Sequence, residues 1–439
     1  MPIAHNRRLS TAAPGGASAL VLALVLALLL AACASPVPAP QPVATAPSAC
    51  FSAACCDDPR SLQFAPYRLY CRARDEDVQR RPVDASATFR EAIAAARDHA
   101  RRDGLHAEQK PADAWQRIDA DAVLCVALAA NARRAELSAQ DSLLKLEEGL
   151  LACRAAYGPD ADATAQAMMD VANQRLGMGE TADLQPQLER IAALALRHGN
   201  RGLEAEATDA LGRHAGLAGD SETERRLLLQ AVALKKAVYG EASVPLAQTY
   251  HRLGRSFTRA DDGVPAREWY LRAIGILIDK LGAANPMTME VMEEFANSHA
   301  DDGNFKQAQI MFDMLLPKAI QTYGARDERT MVIVNSLAST LDRQKRHAKA
   351  LALFDRSLKV RRMTMPDSVG HGATALNAAK TKRMLSSCAG AAPYAREALR
   401  VAKAVQAAHA GEPQATAFLA DAAAYASACK MRPAATPKR

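Results

Sequence analysis

An interval of 42 residues recurs down the second half of this chain and constrains its fold more than any other feature. It separates Leu253-Gly254, Phe295-Ala296 and Leu337-Ala338. It also relates Ala266, Ala308 and Ala350, then Tyr270, Phe312 and Phe354, then Tyr239-Gly240, Leu281-Gly282 and Tyr323-Gly324. One step back from Leu253-Gly254 stands Leu211-Gly212. A degenerate copy centres near Val171-Ala172, passes through Leu188 and ends at His198-Gly199. A period of this length marks small units that cannot each bury an apolar face alone, so the units must stack.

Each unit reads as two antiparallel helices. In the clearest, Val244–Arg259 forms the first helix and Asp261-Asp262-Gly263 the turn. Pro265 sits in the first turn of the second helix, where its missing N–H has no intrahelical partner to lose. Tyr250, Leu253, Phe257, Tyr270 and Ala273 share inward faces by their three- and four-residue spacing. Gly254 and Ala266 are small so that the helices can approach closely. Tyr239-Gly240 and Tyr323-Gly324 close the preceding helices, the glycine supplying a C-terminal bend. With only 5% aromatic residues and abundant alanine, the composition favours closely packed helices over a sandwich or barrel.

The pattern of Tyr250, Leu253-Gly254, Phe257, Ala266, Tyr270 and Ala273 resembles a tetratricopeptide repeat. The 42-residue period, the Tyr-Gly ending and the longer loop Tyr239-Gly240-Glu241-Ala242-Ser243 are similar to the kinesin light-chain variety. The resemblance implies an all-α superhelical solenoid of antiparallel helix hairpins. It is best over 205–362 and looser over 112–204. The unit starting near Glu290 departs from it, with Leu315 at a usually small position and His299 at a usually aromatic one. Upstream, Ala112–Asn131 and Ser142–Ala156 form a further hairpin. Downstream, Ala373–Cys388, Pro393–Ala410 and Gln414–Lys430 complete and cap the array. The expected layout is degenerate repeats over 84–204, clear repeats over 205–362, a terminal repeat and cap over 363–430 and a basic tail over 431–439.

The N-terminus carries a different signal. Arg7 and Arg8 precede an uninterrupted apolar stretch, Ala19–Ala32, shorter than the ~20 residues that cross a hydrocarbon core. The stretch ends in Leu30-Ala31-Ala32-Cys33, which resembles the bacterial lipobox. That resemblance implies a signal peptide over 1–32, lipid (palmitate among the acyl groups) on Cys33, and a lipoprotein. Ala34 after the cysteine implies the outer membrane, facing the periplasm. Residues 33–49 then act as a tether, with five prolines among the sixteen residues Ala34–Ala49, and 50–83 as an irregular, cysteine-containing lead-in.

The formal charge of +7 falls to +5 once Arg7 and Arg8 are removed, too mild for a nucleic-acid footprint. Of nine cysteines, eight remain beside Cys33. Cys125 and Cys153 belong to the two helices of the early hairpin, and Cys388 and Cys429 to C-terminal helices expected to pack together, so both pairs are disulfide candidates. Cys50, Cys55, Cys56 and Cys71 have no assigned pairing. No C-x-x-C pair opens a helix and no His cluster accompanies the thiols, so neither a redox site nor a metal site is expected.

No G-x-S-x-G, H-E-x-x-H or glycine-rich nucleotide loop occurs, and no cofactor is expected. Function is sought on the wall lined by first helices. By the family resemblance, its partner-binding residues are His251, Arg255, Arg259, Asn297, Asn335 and Arg343, within ladders that also hold Gln248, Glu290, Glu293, Asp301, Val332 and Ser339. Polar groups at such regular intervals suit the backbone and carboxylates of an extended peptide. A second surface is the basic run Arg343–Arg362, with eight Lys/Arg and only Asp355 opposing them. It reads as a solvated helix face, or alternatively as an anion-binding one. The favoured function is an envelope scaffold or adaptor for protein partners. The alternative is a peptidoglycan- or glycan-acting enzyme or receptor using the solenoid cleft.

Overall fold

Helices account for all regular secondary structure among the described residues. The structure, a computed structural model, describes residues 56, 65–78, 82–103, 120–132, 137–260, 263–409 and 413–429. The segment bearing Cys33, the tether, Cys50, Cys55, the Asp261-Asp262 turn and the basic tail lie outside the described residues. The chain divides into two compact units, one spanning Pro40–Ser256 and one built around Phe257–Arg439.

The N-terminal unit holds α1 (Ala65–Val78), α2 (Pro82–Asp103), α3 (Ala120–Ala132), α4 (Ala139–Tyr157), α5 (Asp162–Gly177), α6 (Leu184–Arg197), α7 (Arg201–Leu217) and α8 (Ser221–Tyr239). It also takes most of α9 (Val244–Arg259). Its first core joins Tyr67, Phe89, Val123, Leu128 and Cys153 across α1–α4. Its second joins Met169, Leu188, Ile191, Leu194 and Leu203 across α5–α7. Two disulfides staple this half: Cys56 to Cys71, and Cys125 to Cys153, which ties α3 to α4.

The C-terminal unit continues with α10 (Gly263–Leu281), α11 (Pro286–Asp301), α12 (Phe305–Tyr323), α13 (Glu328–Arg343), α14 (His347–Thr364), α15 (Val369–Leu385), α16 (Cys388–Ala408) and α17 (Pro413–Ala428). The periodic residues fill its interior. Ala266, Ala308 and Ala350 are each 0% exposed, and Tyr270, Phe312 and Phe354 lie within 1% of complete burial. Small residues at one step and rings at the next let consecutive helices interlock at interior density. Cys388 is bonded to Cys429, closing the α16–α17 end.

Turns between pairs follow from local chemistry. Gly240, Gly282 and Gly324 end their helices at φ of +82°, +86° and +97°, a region that a Cβ penalises. After Gly324, Asp327 caps α13 by accepting from the Arg329 N–H at 2.9 Å. Thr330 then donates to the Gly324 carbonyl at 2.8 Å and ties the turn to the next helix. Thr164 does the same for Gly158 at 2.7 Å in the N-terminal unit. The architecture is therefore all-α: a tetratricopeptide-like solenoid of stacked helix pairs.

Candidate functional site

Within each unit, first helices of successive pairs touch: α5 meets α7, while α11 meets α13, α13 meets α15 and α15 meets α17. Contact between alternate helices places them on the tighter, inner side of the stack, so their outward residues form a polar wall.

In the N-terminal unit this wall is organised around Asp209 of α7. Thr249 of α9 donates to Asp209 Oδ1 at 2.6 Å, and Arg252 Nη1 lies 2.9 Å from its Oδ2. Lys235 of α8, with no side-chain exposure, reaches Asp209 Oδ1 at 3.5 Å and Glu206 Oε2 at 3.4 Å. Burial alone would raise the Asp209 pKa, but Arg252 and Lys235 override it and hold the group at about 2. Arg213, one turn further along α7, donates to Asn173 of α5 at 2.9 Å. Its pKa drops to about 10 through burial and then repulsion from Arg252, with Arg255 adding to the repulsion and Asp209 and Glu206 only partly offsetting it. Arg252, Lys235 and Arg213 thus surround one buried carboxylate, and Arg255 stands beside Arg213. Such a cluster suits a further anionic group, above all a carboxylate that can accept paired N–H bonds.

The C-terminal unit presents an acidic wall. Glu290, Glu293 and Glu294 lie on α11, and the Glu293 pKa rises from the ordinary 4.5 to about 7 through burial and then repulsion from Glu294 and Glu290. Tyr270 contacts Glu294 Oε2 at 3.4 Å. Further along α11, His299 packs edge-on against Phe295 at 4.8 Å, and neither ring nitrogen has a hydrogen-bond partner. Burial and then Arg267 lower its pKa to about 4. His299 therefore fills its site as a neutral ring, the role an aromatic residue plays at that repeat position.

The six expected groove residues have distinct surroundings. His251 is half-buried and Arg255 exposed in the N-terminal unit, where Arg255 adds to the Arg213 cluster. In the C-terminal unit, Arg259 is exposed at the end of α9 and Asn297 half-buried on α11. Asn335 Oδ1 accepts from Thr374 of α15 at 3.1 Å, and Arg343 lies over the Phe305 ring at 5.5 Å.

Other polar residues make contacts that the sequence reading did not assign. Arg361, 2% exposed, pairs with Glu328 at 2.8 Å and donates to Thr374 at 3.0 Å, linking α13, α14 and α15. Arg362 makes a bidentate pair with Glu397 at 2.7 and 2.6 Å, and His371 Nε2 meets the same carboxylate at 2.8 Å. Of the two C-terminal arginines of the basic run, Arg361 therefore belongs to a buried interhelix bridge, and Arg362 to a bridge on the solvated face. A signal existed. Lys235 and Arg361 are three periods apart at the step that holds Leu277 and Ala319 between them, and a cation at an apolar step implies a buried counter-charge.

Residues 287–363 and 328–404 match the family described as Tetratricopeptide repeat. Among solved structures, the chain is similar to a signal transduction ATPase with a tetratricopeptide repeat sensor from Pyrococcus horikoshii, at 10% identity and TM-score 0.54, covering 82% of this chain and 51% of that one. It is also similar to the apo form of the quorum sensor NprR from B. thuringiensis, at 13% identity and TM-score 0.51, covering 71% and 81%. BtubC from P. vanneervenii aligns at 14% identity and TM-score 0.45, covering 52% and 92%. No curated protein matches the chain in sequence.

These findings correct the expectation of a bacterial lipoprotein. The likeness runs to a quorum sensor and a sensor-bearing ATPase and is one of helix-pair packing. Cys33 lies outside the described residues, and no helix among the described residues is long and apolar enough to cross a membrane. The lipid attachment at Cys33, the signal-peptide and palmitate assignments and the outer-membrane, periplasm-facing location do not stand. The chain is described instead as a tetratricopeptide-like solenoid.

Proposed function

We propose that this chain is a non-catalytic scaffold that binds protein or extended peptide partners along the walls lined by its first helices. The observation that carries this reading is the cationic cluster of Lys235, Arg213 and Arg252 around the buried Asp209, with Arg255 beside Arg213. It supplies positive charge beyond what Asp209 and Glu206 neutralise, in a partly desolvated setting where a partner's carboxylate is bound more strongly than in water. Asn297, Asn335, Arg259 and Arg343 are proposed as the polar contacts of the C-terminal unit. The solenoid likeness to a quorum sensor and to a repeat sensor supports a recognition role. A glycan-cleaving reading would call for carboxylates converging from different helices, whereas Glu290, Glu293 and Glu294 share one helix.

The test is capture of acidic peptides from an array by the full chain. Replacing Arg213 and Arg255 by Gln should weaken capture about tenfold, the scale of one lost charge-assisted contact. Replacing Arg255, Asn297 and Asn335 together should weaken it at least as much, with the helical signal retained. Capture unchanged by both variants would remove the wall as the binding surface.

A further inference from the structure

The N-terminal unit contains a cavity of about 370 Å³ that the groove reading does not use. Its cause lies in unequal helix lengths. α4 and α8 have 19 residues each, whereas α6, which lies between them in sequence, has 14 and carries Pro186 in its first turn. The short second helix leaves part of α5 uncovered. Met168 and Val171 of α5, both 6% exposed, form an apolar floor, and Leu150 of α4 and Pro186 of α6 form apolar sides. Arg154 of α4 and Gln187 and Arg190 of α6 form the polar rim.

The two arginines differ. Arg190 is held by Asp160 at 2.8 Å, which fixes its position and consumes much of its charge. The Arg154 guanidinium has no ion-pair or hydrogen-bond partner among the described residues. An apolar floor gains from covering by hydrocarbon, and an uncompensated guanidinium at the rim selects an anionic headgroup. A volume of this size lies in the range of small-ligand sites, which are mostly apolar with a few orienting polar groups.

We infer that this cavity binds a medium-chain alkyl carboxylate, its chain against Met168 and Val171 and its headgroup on Arg154. The site is separate from the guanidinium cluster of α7 and α9, and either reading can fail without the other.

The experiment uses the full chain labelled with [¹³C-methyl]methionine, titrated with octanoate, octylamine or 1-octanol. The Met168 methyl resonance is identified by its loss in Met168→Leu. Octanoate should shift that resonance saturably, with half-saturation at about 1 mM, the affinity open to a ligand of about ten heavy atoms. Octylamine and 1-octanol should bind about tenfold more weakly. Arg154→Gln, an exposed substitution, should raise the octanoate half-saturation to the 1-octanol level. Val171→Phe should abolish the shift by filling the floor. The absence of a saturable shift at Met168, equal binding of octylamine, or unaltered octanoate binding by Arg154→Gln would each overturn the inference.

Discussion

Lys235 Nζ lies 3.5 Å from Asp209 Oδ1, with both side chains buried and on adjacent helices of the N-terminal unit. The pair is not isolated, because Arg252 and Thr249 reach the same carboxylate. That asymmetry decides how substitutions will behave.

Asp209→Ala leaves two cations facing a cavity and should cost about 3–5 kcal/mol, the scale of a buried charge stripped of its partner. Lys235→Met keeps Arg252 on Asp209 and places a flexible apolar chain in the vacated space, so it should cost clearly less. Denaturant unfolding monitored by circular dichroism measures both. Equal losses would show that Arg252 does not compensate the carboxylate.

Glu293 makes stability depend on pH in a defined direction. Its folded-state pKa is raised to about 7 from an ordinary 4.5. Between those values the folded chain holds more protons than the unfolded one, so the contribution of Glu293 is complete below pH 4.5 and is lost as pH rises through 7. Glu293→Gln should therefore stabilise the protein at pH 8 by about 1–3 kcal/mol, after allowing for partial solvent screening, and change little at pH 4. Thermal melts of both proteins across that range would expose a flat difference, the result inconsistent with the raised value.

Gly212 tests the close approach of α7 and α8. A Cβ there would meet the Leu228 side chain at 3.0 Å and the Glu224 carbonyl oxygen at 3.4 Å. Gly212→Val should destabilise by about 1–3 kcal/mol through overpacking, whereas its smaller counterpart Gly212→Ala should be milder because Leu228 can shift. Urea midpoints of the two variants give the ordering.

The Cys125–Cys153 bond spans 28 residues and joins α3 to α4. Replacing both cysteines by Ala should lower stability by about 2–4 kcal/mol, largely by releasing the unfolded chain. Nonreducing peptide mapping should recover the Cys125 and Cys153 peptides linked, and two free thiols would contradict the bond.

The repeat fold was readable because its determinants are local and periodic. Ala266, Tyr270 and their successors Ala308, Phe312, Ala350 and Phe354 lie at the same depth in three successive helix pairs, so a spacing in one dimension became a packing rule in three. The lipobox was equally local, yet Cys33 lies outside the described residues. The basic run misled at Arg361 for a related reason: amphipathic spacing places it on a helix surface but does not say which neighbour covers it.

Taken alone, the order of residues determined that the chain forms paired helices, where their turns fall and which small and aromatic side chains meet. Helix propensity, glycine bends and apolar periodicity all act over a few residues, or repeat at one interval. Tertiary structure alone decided that Lys235, Asp209 and Arg252 share one buried site, that Arg361 is covered by α13 and α15, and that a short α6 opens a cavity over α5. Those outcomes depend on charges and volumes brought together from separate helices, and electrostatic and packing energies act on distance in space rather than on distance along the chain.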